Sequence, residues 1–128
     1  MRLMKDTTES IFADTYAFIE MIKGNPTYQP YTDLQVITTL PNLIELYYYL
    51  LREFNMTTAD RYLTGYSEFL TSITVPCIRY GMQFKLTHRK DKLSYVDCIG
   101  YARALQLGIP FLTGDSKFKD KPNVEFVR

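Results

Sequence analysis

Two cysteines and one histidine are too few for a disulfide framework or a thiolate zinc centre. Cys77 and Cys98 share no C-x-x-C spacing, and His88 has no cysteine near it. Both thiols therefore read as small core residues. The sequence also lacks any stretch approaching the roughly 20 apolar residues of a membrane span. Its opening, MRLMKDTTES, turns polar and acidic before an apolar signal core can form. A cytoplasmic protein without a membrane partner is expected. A charge excess is missing as well: 15 Lys and Arg stand against 14 Asp and Glu, a net charge of +1. Phosphate attraction cannot then be global, and a nucleic-acid partner has to be argued from local clusters. With six glycines, six prolines and no repeat, collagen-like and disordered classes fall away too.

What is present is an apolar, aromatic chain, 46% hydrophobic over 128 residues, enough for one domain with a continuous core. A single domain over 1–128 is expected, with 1–9 as an N-terminal tail. From Ser10 the run IFAD reads as a buried strand ending in Asp14, followed by the helix TYAFIEMIKG, stopped at Gly24 and Asn25-Pro26. NPTYQPYTD reads as a loop, and LQVITT as a second, β-branched strand. Pro41 suits the first turn of the next helix, where Leu43, Leu46, Tyr47, Leu50, Leu51 and Phe54 recur at helical spacing. Thr57 or Thr58 is the expected cap of a helix over ADRYLTGYSEFLTS. ITV is the expected third strand, and Pro76 opens a fourth helix. Ser94 caps YVDCIGYARALQLG, Gly108 stops it, IPFLT and VEFV are strands, and GDSKF between them is a loop. Strands alternating with helices imply a mainly parallel sheet covered on both faces.

In such sheets ligands bind beyond the carboxyl ends of the strands. Asp14 closes the first strand, and Asp115 follows the strand ending in Thr113. Glu45 lies in the first turn of the helix after the second strand. Asp97 opens a helix that runs back along IPFLT, so it too starts near that rim. Four acids meeting from remote positions repel: at an effective dielectric near 20, a pair at 4 Å costs about 4 kcal/mol. A divalent cation removes that cost, and hard Mg²⁺ takes oxygen ligands with substrate phosphate completing its shell. Each acid also has a structural explanation. Ser94-x-x-Asp97 resembles a capping box, Asn42-x-x-Glu45 can be read the same way, Asp14 can cap its helix, and Asp115 can be a turn residue.

Four segments together resemble the PIN-domain family, and VapC-type toxins in size. They are IFADTYAFI, ITTLPNLIELYYYL, LSYVDCIGYARALQLGIPFLTGDSKF with Thr113, Asp115 and Phe118 as Thr-x-Asp-x-x-Phe, and the closing VEFV. The resemblance covers Ile11 to Val127. It implies a three-layer α/β/α fold with a mainly parallel five-stranded sheet in the order 3-2-1-4-5. It also implies hydrolysis of single-stranded or structured RNA with one or two Mg²⁺ or Mn²⁺ ions, and an antitoxin as partner. Carried over residue by residue, Asp14 and Asp97 are metal ligands, Glu45 binds metal or orients the attacking water, and Asp115 completes a second site. Thr15 and Thr113 match positions whose hydroxyls support the acids. Tyr16 departs from the family pattern and is expected to narrow the pocket.

Arg79, Lys85, Arg89, Lys90 and Lys92 form the local basic cluster for RNA phosphates, with a solvated helix end as the bland alternative. On the helix after Pro41, Ile44, Tyr48 and Tyr49 widen the apolar face until little polar surface remains. A homodimer, an antitoxin segment or burial in the monomer would each cover it. The leading expectation is a metal-dependent endoribonuclease; the alternative is a catalytically inactive PIN-like interaction module. A receiver-like phosphoacceptor domain wants paired acids after the first strand, whereas Asp14 stands alone.

Overall fold

The computed structural model describes residues 9–128; the expected tail falls almost wholly on residues 1–8, outside them. The elements are β1 (Ser10–Ala13), α1 (Thr15–Ile22), β2 (Gln35–Ile37), α2 (Leu40–Glu53), α3 (Met56–Tyr66), α4 (Val75–Thr87), α5 (Tyr95–Leu107), β3 (Phe111–Thr113) and β4 (Val124–Phe126). The sheet is parallel throughout, in the order β2-β1-β3-β4.

Alternation along the strands builds two cores. Ile11, Ala13, Val36 and Leu112 face α1, α2 and α3, joining Phe18, Leu43, Leu46 and Leu50. Phe12 and Phe111 face the other way, joining Cys98, Tyr101, Ala104 and Phe118. Successive side chains of a strand point to opposite faces, so each strand feeds both layers of helix. The three-layer expectation holds, as does the burial of both thiols, which are free.

The strand count does not hold. Thr71 to Thr74 are irregular, and the ITV segment is split, Ile73 and Thr74 lying in that irregular stretch and Val75 opening helix α4. Thr74 is the helix cap, its hydroxyl accepting from the Cys77 N–H at 3.2 Å. The outer edge of β2 is met one step earlier, by a single parallel bridge from Thr38 to Leu70. There the Thr38 N–H donates to Phe69 O at 3.0 Å, and the Thr71 N–H donates to Thr38 O at 2.8 Å. The expected third strand, the edge beside β2, is therefore reduced to one bridge, because the chain enters a helix before a ladder can extend. Two smaller expectations are also corrected. Asn55, not Thr57 or Thr58, caps α3, accepting from the Thr58 N–H at 2.8 Å. The NPTYQPYTD loop winds into 3-10 turns over Pro26–Asp33, and Ser116–Phe118 makes another.

Candidate active site

Register places the first acid. Phe12 pairs with Phe111 and Ala13 with Leu112, so Asp14 and Thr113 leave the sheet side by side. The Thr113 hydroxyl donates to Asp14 Oδ2 at 2.8 Å, and the Asp115 N–H donates to the same hydroxyl oxygen at 3.1 Å. Thr113 thus ties the end of β1 to the start of the following turn. Between them, Gly114 is fixed by close approach. A Cβ there would stand 2.4 Å from both the Tyr16 ring and the Val127 carbonyl oxygen. Tyr16 therefore lies against the backbone at Gly114, beside Asp115.

The second acid is set from α2. The Thr15 hydroxyl donates to Glu45 Oε1 at 2.8 Å and itself accepts from Asn42 Nδ2 at 3.1 Å. Asn42 is fully buried, and its Oδ1 accepts from the Thr39 hydroxyl at 2.6 Å. The Asn42-x-x-Glu45 capping pattern is not formed. The helix starts at Leu40, so Asn42 already lies inside its first turn, and the N-cap Thr39 makes no side-chain cap bond.

Asp97 does form the capping box: its Oδ2 accepts from the Ser94 N–H at 2.9 Å, and its own N–H donates to Ser94 Oγ at 3.0 Å. Asp115 likewise closes its turn, Oδ1 accepting from the Lys117 N–H at 3.0 Å. Asp14 sits at the N-cap of α1 but makes no side-chain cap bond.

Electrostatically the acids are linked in a chain: Asp97 acts on Asp14 and on Glu45, and Asp115 acts on Asp97. Burial, and next the charge of Asp97, push the Asp14 pKa up to about 8, with Glu45 adding to the rise and Thr113 opposing it. Glu45 is raised by burial and by Asp97, against the Thr15 hydrogen bond. Asp97 is raised by burial and by Asp115, against Ser94 and the Lys117 ammonium. Glu45, Asp97 and Asp115 each give one carboxylate oxygen to the protein donors named above. Among the described residues, the second oxygen of Glu45 and of Asp115 has no donor.

The donor set is all oxygen, carboxylates and hydroxyls, which suits a hard divalent cation rather than a soft one. Among the described residues, no three of these side chains are drawn close enough to form a ready-made metal cage. Two of them are turned toward their own helix or turn.

The basic cluster is dispersed by comparison. Helix α4 runs antiparallel to α5, with Thr74 against Gln106, Gly81 against Cys98 and Lys85 against Leu93. Its carboxyl end therefore lies beside the Asp97 end of α5. The Lys85 ammonium donates to the Leu93 carbonyl and sits 4.9 Å from the Tyr95 ring centroid, a structural use. Arg79, Arg89, Lys90 and Lys92 are exposed, with Arg89 Nη1 turned back to the Leu86 carbonyl at 3.2 Å. The cation that bears on the acids is Lys117, whose ammonium also reaches the Lys92 carbonyl at 3.2 Å. Lys117 and Thr39 carry no motif of their own, and the one motif that includes Asn42, the capping pattern with Glu45, is not what the residue does. The one sequence signal is a polar Asn inside the apolar run LPNLIELYYYL.

A parallel α/β domain with Asp14 and Asp115 following the carboxyl ends of neighbouring strands is a recognisable class. The PIN domain family model matches residues 11–124, and the chain belongs to that family. No curated protein matches it. Among solved structures, the chain is similar to VapC20 of Mycobacterium tuberculosis, described as a sarcin-ricin loop cleaving toxin. That match has a TM-score of 0.76 and 18% identity, covering 91% of this chain and 96% of that one. A toxin-antitoxin complex from Klebsiella pneumoniae gives a TM-score of 0.70 at 18% identity, covering 89% and 94%. VapBC2 of Rickettsia felis, bound to a DNA fragment from its promoter, gives 0.71 at 16%, covering 92% and 97%. At these identities the shared feature is the fold.

Proposed function

We infer that the protein is a Mg²⁺- or Mn²⁺-dependent endoribonuclease acting on single-stranded or structured RNA, the toxin of a toxin–antitoxin pair. The observation that carries this is Asp14: a carboxylate buried at the end of β1 and held by the Thr113 hydroxyl, its pKa lifted to about 8 by burial and by the charges of Asp97 and Glu45, at the rim where parallel α/β sheets bind ligands. A fold needing only a helix cap would gain nothing from burying it. Asp14, Glu45, Asp97 and Asp115 are the proposed ligands for one or two ions, with Thr15 and Thr113 in support.

When bound, a divalent ion supplies charge neutralisation at the acids and Lewis acidity toward a phosphodiester. The chain's residues do the positioning. Thr113 holds Asp14 Oδ2, Thr15 holds Glu45 Oε1 and Ser94 holds Asp97 Oδ2. Glu45, half-buried, is proposed to bind the metal or to orient a water for in-line attack on phosphorus. Arg79, Lys85, Arg89, Lys90 and Lys92 are proposed to attract RNA phosphates, with Lys117 nearest the acids. Leu40, Ile44, Tyr48 and Leu51 form an exposed apolar stripe on α2. It supports a protein partner, an antitoxin or a second copy of the chain. No helix among the described residues is long and apolar enough to cross a membrane; a cytoplasmic location is part of the proposal.

The test is cleavage of a labelled single strand and a labelled hairpin in Mg²⁺, in Mn²⁺ and in EDTA. Cleavage should require the ion, and Asp97→Asn should lower it about a hundredfold or more, equivalent to roughly 3 kcal/mol in the barrier. The capping uses of Asp97 and Asp115 favour one rival, the catalytically inactive interaction module. Folded, inhibitor-free protein that binds no divalent ion and cuts neither RNA would establish that rival.

A further inference from the structure

We propose that Asn42 is a positioning residue, which sets Glu45 against Asp14 through Thr15 and is itself locked by Thr39; this rests on the nuclease reading above. The relay runs Thr39 hydroxyl to Asn42 Oδ1 (2.6 Å), Asn42 Nδ2 to Thr15 Oγ1 (3.1 Å) and Thr15 hydroxyl to Glu45 Oε1 (2.8 Å). A hydroxyl has one proton to give. Because Asn42 donates to Thr15, that proton is left for the carboxylate. A longer alternative exists, from the Thr15 hydroxyl to the Asn42 backbone carbonyl at 3.4 Å, but a charge-assisted bond to a carboxylate is the stronger choice. Were the amide reversed, its oxygen would face Thr15, compete for the same proton and leave Glu45 unsupported. An ionised Glu45 carboxylate only accepts, so it takes the Thr15 proton and turns the amide NH₂ to Thr15, while the wholly buried Thr39 hydroxyl satisfies the amide oxygen on the other side.

Location strengthens the assignment. Asn42 belongs to α2, its amide touches α1 through Thr15, and α5 closes from a third side. A Cβ on Gly100 would stand 3.4 Å from Asn42 Oδ1 and 3.0 Å from the Phe12 ring. The helices that carry or follow Asp14, Glu45 and Asp97 therefore meet at one amide. Asparagine is a mediocre helix former, and burying its amide costs about 1–3 kcal/mol unless it is hydrogen-bonded. An apolar residue would fill the same space without that demand. The polar choice makes sense if the bond to Thr15 is what the position supplies.

The experiment compares wild type with the Thr39→Val/Asn42→Leu double variant, which keeps the volume and leaves no buried hydroxyl at 39 without an acceptor. Mn²⁺ affinity is measured by calorimetry, kcat and KM on the labelled RNA, and folding by urea denaturation. The expected result is a folded protein whose Mn²⁺ affinity and kcat each fall about 10- to 100-fold, the usual consequence of losing a group that orients a ligand, with KM changed by less than about threefold. Thr15→Val should reproduce the loss while Thr15→Ser restores it, which keeps the test valid should the double variant not fold. Wild type that binds Mn²⁺ and cleaves RNA, beside a folded variant equal to it in both, overturns the role of Asn42 alone. Wild type that binds no Mn²⁺ overturns the nuclease reading and this role with it.

Discussion

Replacing Asp14 with asparagine should stabilise the ion-free protein at alkaline pH while removing its activity. The carboxyl is 3% exposed, and burial with the neighbouring charges lifts its pKa from 3.8 to about 8. A group whose folded pKa lies above its unfolded value holds a proton in the folded state that the unfolded chain has already released. Its favourable contribution is complete below the unfolded pKa and is lost as pH rises toward the folded one. Across that window the slope from one group is about 1.4 kcal/mol per pH unit, or roughly 5 kcal/mol from pH 4 to pH 8. A loss of that size approaches the whole stability of a small domain. Asparagine keeps the shape and can still accept from Thr113, but carries no charge. Glu45 and Asp97, also raised, are present in both proteins, so much of their effect cancels in the comparison. Urea denaturation in EDTA at pH 5, 6.5 and 8 should show Asp14→Asn gaining on wild type by about 1 kcal/mol or more per pH unit. A stability difference that stays constant from pH 5 to pH 8 would refute the chain of reasoning from burial to a demand for a cation.

Three further outcomes are expected. Mn²⁺ at a hundred times its dissociation constant should stabilise wild type by about 2.7 kcal/mol at pH 8, seen as a rise in Tm that EDTA reverses and Asp14→Asn lacks. Gly114→Ala should cost about 1–3 kcal/mol in urea denaturation, because the added methyl meets the Val127 carbonyl and the Tyr16 ring at 2.4 Å. Ser94→Ala should cost about 1 kcal/mol by opening the capping box, and should lower kcat by releasing Asp97 from its fixed orientation.

Much of the fold was legible because its signals are local. The apolar runs at Ile11 to Ala13 and Phe111 to Leu112, the caps at Ser94 and Gly108, and the periodicity of Leu43, Leu46 and Leu50 each depend on near neighbours. ITV failed for the same reason: three β-branched or apolar residues look like a strand in isolation. Whether they pair is decided by where the chain meets the edge of β2, and Leu70 arrives there first. The candidate acids were visible as residues at element ends. That Asp97 forms its capping box while its charge bears on Asp14 and Glu45 is something spacing alone could not resolve.

The sequence by itself determined the alternation of strands and helices, the rim at which Asp14, Glu45, Asp97 and Asp115 would emerge, and the hard oxygen chemistry they offer. Tertiary structure decided which donors hold each carboxylate, because Thr15 and Glu45, like Asp14 and Thr113, are far apart in the chain and meet only through sheet register and helix packing. It also decided the meaning of Asn42. A polar residue in an apolar helix has no direction until the elements around it are in place, and here three helices converge on its amide.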